Sequence, residues 1–152
     1  MAVNEIDIAA PPEAVFDVLS DADSYEFWVV GAKEIRGSDP GFPKPGTRFY
    51  HTVGLGPLTL RDHSTVVELD PPRRLVLEAG LRSLGSALVT LDLHAEGAGS
   101  RIVMTERPAS GLPLRIGLRL GNVLLRGRNF LSLEQLKELV ESRRGQASCL
   151  SR

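Results

Sequence analysis

Polar and apolar residues alternate along Val3 to Ala9, with Asn4, Ile6 and Ile8 on one side and Val3, Glu5 and Asp7 on the other, the period-two pattern of a half-buried strand. Ala10-Pro11-Pro12-Glu13 then reads as a helix start. Proline is tolerated in a first turn, where the amide hydrogens lack partners anyway, and a carboxylate there meets the positive end of the helix dipole. Val15, Phe16 and Leu19 form the buried face of that helix. Asp23-Ser24-Tyr25-Glu26 has capping-box spacing, which predicts a second short helix carrying Tyr25, Phe27 and Trp28.

From Val29 onward the punctuation changes. Turn signals recur at Asp39-Pro-Gly, Lys44-Pro-Gly, Gly54 to Pro57, Asp70-Pro-Pro-Arg73, Gly80 to Gly85 and Glu96 to Gly99, and the segments between them are rich in Val, Leu and Thr. This pattern predicts an antiparallel meander of about six strands, or about seven with the first. A helical stretch from Leu112 to Ser142 follows, with Leu120, Val123, Leu124, Leu131, Leu136 and Val140 as its core stripe. A long helix after a run of strands must bury that stripe against the sheet, and a curved sheet folded round it leaves an internal space. The expected class is α+β: a curved antiparallel sheet around a long C-terminal helix, with two short helices after the first strand. The expected domain spans residues 1–142, followed by a polar, disordered tail over residues 143–152.

Alternation also sorts the strand residues by face. Counting by twos puts His63, Thr65, Val67 and Leu69 on the inner face, with Arg61 before them. Leu75, Leu77 and Ala79 continue that face, then Val89, Leu91 and Leu93, then Ile102, Met104 and Glu106, while Glu78 and His94 point to water. Around Gly54 to Pro57 two registers remain open: one pairs His51 with Arg61 and Phe49 with His63, and a one-residue slip substitutes Tyr50 and Arg48.

The 152-residue chain is large enough to bury a core without disulfides or metal. Its net charge of −1, with acidic and basic residues mixed, lacks the field that gathers nucleic-acid phosphates, so nucleic acid is not an expected partner. The single cysteine, Cys149, lies in the polar tail, which fits a reducing cytoplasm. The N-terminal residues have neither the basic start nor the apolar run of a signal peptide, and Arg115 and Arg119 interrupt the most apolar later segment. A chain that stays in the cytoplasm is expected.

Several segments in order, the strand, Ala10-Pro-Pro-Glu-Ala-Val-Phe-Asp-Val-Leu-Ser-Asp21, Tyr25-Glu-Phe-Trp28, the meander with Asp70-Pro-Pro-Arg-Arg-Leu75, Thr105-Glu-Arg-Pro108 and the terminal helix, resemble the START-like superfamily over roughly residues 3 to 142. More narrowly the chain resembles the polyketide cyclase/dehydrase and lipid-transport (SRPBCC) family. The resemblance implies a helix-grip fold around a hydrophobic cavity. Because the superfamily includes carriers, cyclases, hydrolases and protein-binding domains, the fold does not choose among them.

Within that cavity the expected ligand-binding residues are Trp28, His51, Val67, Leu77, Leu91, Met104, Gly117, Gly121 and Leu124. Two glycines four apart on a helix need a reason, since each costs about 1 kcal/mol relative to alanine. Room for a ligand is one, and close packing or a bend is another. Trp28 can stack on a flat ligand or plug the core with Tyr25 and Phe27. Arg61, His63 and Glu106 would be charged groups on an apolar face, where burial costs several kcal/mol unless they are paired, and this marks a candidate catalytic spot. His63 would act as general acid or base, Arg61 would stabilise an oxyanion and Glu106 would relay a proton, unless these positions lie at a wet rim. No serine or cysteine sits in a nucleophile elbow, and His51, His63 and His94 lack metal-ligand spacing, so neither a triad nor a metal or other cofactor is expected. Arg115, Arg119, Arg126 and Arg128 read as a solvated helix face, with an anionic membrane or acidic partner as the alternative.

The expected function is binding of a small hydrophobic or aromatic molecule, lipid or polyketide-like, as carrier or sensor, by a monomer or homodimer. The alternatives are a cyclase or dehydratase using the same cavity, and a co-chaperone-like interaction domain.

Overall fold

The computed structural model describes residues 1–80, 85–110 and 118–151, without the side chains of residues 55 and 118–120. Strand β1 (Ala2–Ile8) ends at the prolines that open α1 (Pro12–Leu19), whose first turn is closed by bonds from the Ala14 and Val15 amides to the Pro11 carbonyl. Val15, Phe16, Val18 and Leu19 of α1 are buried. The cap that follows is Asp21 rather than Asp23: its carboxylate accepts from the Asp23 amide and starts a 3-10 turn, Ala22–Ser24, that runs into α2 (Tyr25–Trp28). Tyr25 and Trp28 are buried, whereas Phe27 is exposed.

Strands β2 (Ala32–Ser38), β3 (Arg48–Leu55), β4 (Leu58–Asp70), β5 (Arg74–Gly80), β6 (Ser86–Glu96) and β7 (Gly99–Ser110) complete a seven-stranded antiparallel sheet in the order β1-β7-β6-β5-β4-β3-β2. Strands β2 to β7 pair consecutively by hairpins, β7 returns to pair with β1, and β1 and β2 form the two edges of the sheet. Helix α3 (Leu118–Leu150) lies against β1, α1 and α2. It is tied down by the Asn4 amide donating to the Arg126 carbonyl and by the Val30 amide donating to the Ser132 hydroxyl. This is the helix-grip arrangement.

Two expectations about α3 change. The helix continues to Leu150, so residues 143–150 extend it instead of forming a loose tail, although their side chains are exposed. Its buried positions are Asn129, Ser132, Leu133, Leu136 and Val140, while Val123, Leu124 and Leu131 of the expected stripe are exposed. Those three, with Phe130, form a second apolar strip, because at 100° per residue Leu124 and Leu131 fall about half a turn, and Val123 and Phe130 about a quarter turn, from the face of Leu133 and Leu136. The expected start at Leu112, with Arg115 and Gly117, and the side chains of Arg119 and Leu120 lie outside the described residues.

The inner face of β4 also differs, for one local reason. Val66 pairs with Leu77 and Glu68 with Val76, so Val67 is the extra residue of a β-bulge. Counting by twos back from Leu69 crosses that bulge and inverts every assignment before it. Ser64 and Val66 are buried, Val67 and Arg61 are exposed, and the His63 side chain is half-exposed. The hairpin register follows from a two-residue turn, Gly56-Pro57, closed by Leu55 opposite Leu58, with Gly56 at φ +58° where glycine is favoured. It sets Thr52 against Arg61, His51 against Asp62, Tyr50 against His63 and Phe49 against Ser64, which is neither of the two expected pairings. On β5, β6 and β7 no bulge intervenes between Leu75 and Ala79, Ala87 and Leu93, or Ile102 and Glu106, and the inner residues there are those that alternation predicts.

Candidate ligand-binding site

A cavity of about 390 Å³ lies between the concave face of the sheet and α3. Tyr25, Trp28, Val29 and Val30 close one side, and α3 contributes Arg128. Strands β2 to β7 supply Ile35, Phe49, His51, Val53, Ser64, Leu77, Ala79, Val89, Leu91, Met104 and Glu106, among others. The size falls within the range of small-molecule sites, which are typically about 300–1,000 Å³ with a few placed polar groups.

Polar groups gather at two places. On β7, Glu106 is buried, and its Oε2 accepts from Arg128 Nη2 at 2.7 Å and from Asn129 Nδ2 at 2.9 Å. Asn129 Oδ1 in turn accepts from Arg128 Nη2 at 3.0 Å, so the three side chains close a ring of hydrogen bonds. A buried carboxylate needs such partners, because one left alone would be strongly penalised. Glu106 Oε1 receives no hydrogen bond from the described residues, and the Glu106 residue lines the cavity.

On β3, His51 is 7% exposed and its Nε2 lies 3.0 Å from Ser64 Oγ, while Nδ1 has no partner among the described residues. Trp28 Nε1, also buried, is likewise without one. The rings run in a chain from Trp28 to Tyr25 (4.9 Å between centroids), from Tyr25 to Phe49 (4.6 Å) and from Phe49 to His51 (5.5 Å), and so fix the orientation of this wall.

Burial lowers the His51 pKa below its ordinary value, the Asp62 charge opposes this and Arg36 reinforces it. With the folded value depressed, the unfolded chain takes up a proton at a higher pH than the folded one. Stability is therefore full above the unfolded pKa and lost as pH falls from there through the folded value. We expect His51→Gln to lose less stability than the wild type between about pH 7.5 and about pH 5.5, the difference not exceeding about 1.4 kcal/mol per pH unit, read from urea denaturation at both pH values. Equal losses would show that His51 does not carry the linkage.

The candidate catalytic residues do not come together. Glu106 lines the cavity, but Arg61 is exposed and His63 pairs beside Tyr50 on the other face of β4, its Nδ1 3.7 Å from Asp62 Oδ1. Of the candidate ligand-binding residues, Trp28, His51, Leu77, Leu91 and Met104 line the cavity. Val67 is turned out by the bulge, Leu124 is 66% exposed, Gly121 has open space around it, and Gly117 lies outside the described residues. The sequence reading missed Ser64, Asn129 and the inward role of Arg128. Asn129 leaves a signal, since it lies four residues before Leu133 and seven before Leu136 on the helix face that the core requires.

The sequence profile described as polyketide cyclase/dehydrase and lipid transport matches residues 2–141. The chain belongs to this family. No functionally curated protein matches it significantly. Among solved structures it is similar to protein NE0264 from Nitrosomonas europaea (16% identity, 94% of this chain and 95% of that one covered, TM-score 0.72). It is also similar to TTHA0849 from Thermus thermophilus (21% identity, 93% and 97% covered, TM-score 0.72) and to Ara h 8.0201 (17% identity, 92% and 96% covered, TM-score 0.66). At these identities the likeness is one of fold, and it agrees with the helix-grip arrangement. Family and fold are consistent with a domain that binds hydrophobic ligands. Among the described residues no helix is long and apolar enough to cross a membrane.

Proposed function

We propose that this protein is a carrier or sensor that holds a small, mainly apolar or aromatic molecule, lipid or polyketide-like, in the cavity between the sheet and α3. The observation that carries the reading is the open cavity itself, walled by Val53, Leu77, Val89, Leu91 and Met104. Apolar ligand area removed from water there contributes roughly 25 cal/mol per Å² before ordering costs. The cyclase or dehydratase reading needs an acid, a base and an oxyanion donor at one reacting centre. Arg61 and His63 face away, and Glu106 and His51 stand on β7 and β3 with three strands between them, which supports binding over acid–base chemistry. An interaction domain would have its groove filled by its own side chains, and the unfilled space supports ligand binding over that reading as well.

Titration with an anilinonaphthalene sulfonate dye, beside native mass spectrometry of freshly purified protein, tests the proposal. Saturable one-to-one binding is expected. An Ala79→Leu/Ala87→Leu double variant, which fills the cavity from β5 and β6, should weaken that binding by about tenfold or more while the circular dichroism spectrum stays unchanged. Undiminished dye binding by this variant would place the dye elsewhere and remove the support.

A further inference from the structure

We infer that the ligand is two-headed: an apolar frame with a hydrogen-bond-donating group, such as a hydroxyl, at the Glu106 wall and a second oxygen-bearing group at the His51 wall. This deepens the binding reading and rests on it. The first head follows from the chemistry of Glu106. Both of its donors among the described residues, Arg128 and Asn129, address Oε2, so Oε1 is left as an acceptor without one on a side chain that lines the cavity. An ionised carboxylate accepts only, so the group that meets Oε1 must donate. A purely apolar ligand would strip water from this oxygen and return nothing, at a penalty that a hydroxyl avoids.

The second head follows from the opposite wall. His51 Nδ1 and Trp28 Nε1 are both buried and without partners among the described residues, although buried side-chain polar atoms are normally satisfied. His51 is held by Ser64 through its other nitrogen, so Nδ1 donates or accepts according to the tautomer, while Trp28 Nε1 only donates. An oxygen serves either nitrogen, and a hydroxyl satisfies both His51 tautomers. Strands β4, β5 and β6 separate His51 from Glu106, so one head cannot reach both. The surface between them is the apolar floor of Leu77, Val89 and Leu91, which fixes the character of the frame.

A matched series of biphenyl, its para-hydroxy derivative and its para,para′-dihydroxy derivative tests this by dye displacement. We expect affinity to rise by about tenfold with the first hydroxyl and by several-fold more with the second, since hydrogen bonds to a charged acceptor are the stronger kind. Glu106→Gln should keep only part of the gain, because its oxygen takes the Oε2 place opposite Arg128 and Asn129 and its neutral NH2 then faces the cavity as a donor. Glu106→Leu should lose the increment of one hydroxyl and His51→Phe that of the other, each increment being read against biphenyl in the same variant. If all three compounds bind equally to the wild type, the two-headed ligand is overturned while cavity binding stands. If none displaces the dye, both fall. Should Glu106→Leu fail to fold, His51→Phe alone decides: an unchanged preference for the dihydroxy compound over the monohydroxy one would overturn the second head.

Discussion

Leu133→Ala should lower the unfolding free energy by about 3 kcal/mol, whereas Leu131→Ala, two residues earlier on the same helix, should change it by less than about 0.5 kcal/mol. Leu133 is fully buried, and it packs with Leu136, Val140 and the buried residues of the sheet and α1. Truncation there removes the transfer free energy of three carbon atoms and leaves a void that the sheet cannot readily close, because its strands are held to one another by continuous ladders. Leu131 is 53% exposed on the outer apolar strip, and its removal leaves water where water already was. Urea denaturation of both variants checks this, with the denaturant dependence unchanged so that the midpoint reports stability. Equal losses would mean that α3 is rotated about its axis relative to the structure described here, and the inward placement of Arg128 and Asn129 would fall with it.

That contrast also shows what can be read in the chain and what cannot. Strands β5, β6 and β7 alternate without a break across their inner residues, so Leu77, Leu91, Met104 and Glu106 are legible from parity alone. On β4 the same arithmetic fails upstream of Val67, because one bulged residue carries no distinctive sequence signal yet exchanges the two faces. The error falls where it does most harm, replacing Ser64 by His63 and joining to Glu106 two residues, Arg61 and His63, that face outward. In α3 the difficulty is an excess of signal: Val123, Leu124, Phe130 and Leu131 make one apolar strip, and Leu133, Leu136 and Val140 make another. Periodicity cannot say which one meets the sheet. The polar residues decide between them, since Asn129 and Ser132 share the second face and have partners only if it is buried.

The Glu106, Arg128 and Asn129 ring supplies the sharpest electrostatic test. Asn129→Asp should destabilise the protein by roughly 3 kcal/mol at neutral pH and recover much of that loss, relative to the wild type, toward about pH 5. The side chain keeps its shape, but the Nδ2 that now donates to Glu106 Oε2 at 2.9 Å becomes an oxygen, so two carboxylates meet at hydrogen-bond distance in a site where neither is well hydrated. Like charges this close cannot both ionise, and the pair retains one proton between them that each group would give up in the unfolded chain. The folded variant therefore binds more protons than its unfolded state near neutrality, and its stability rises as pH falls. His51 in the wild type acts in the opposite direction, because there the unfolded state binds the extra proton, so the difference between variant and wild type at each pH isolates the new pair. The Arg128 guanidinium, whose side chain is 41% exposed, moderates the repulsion without removing it and keeps the expected loss at the lower end for a broken buried charge pair. Denaturation curves at about pH 7.5 and about pH 5 measure both quantities. A variant equally destabilised at the two pH values would mean that no proton is shared between positions 106 and 129.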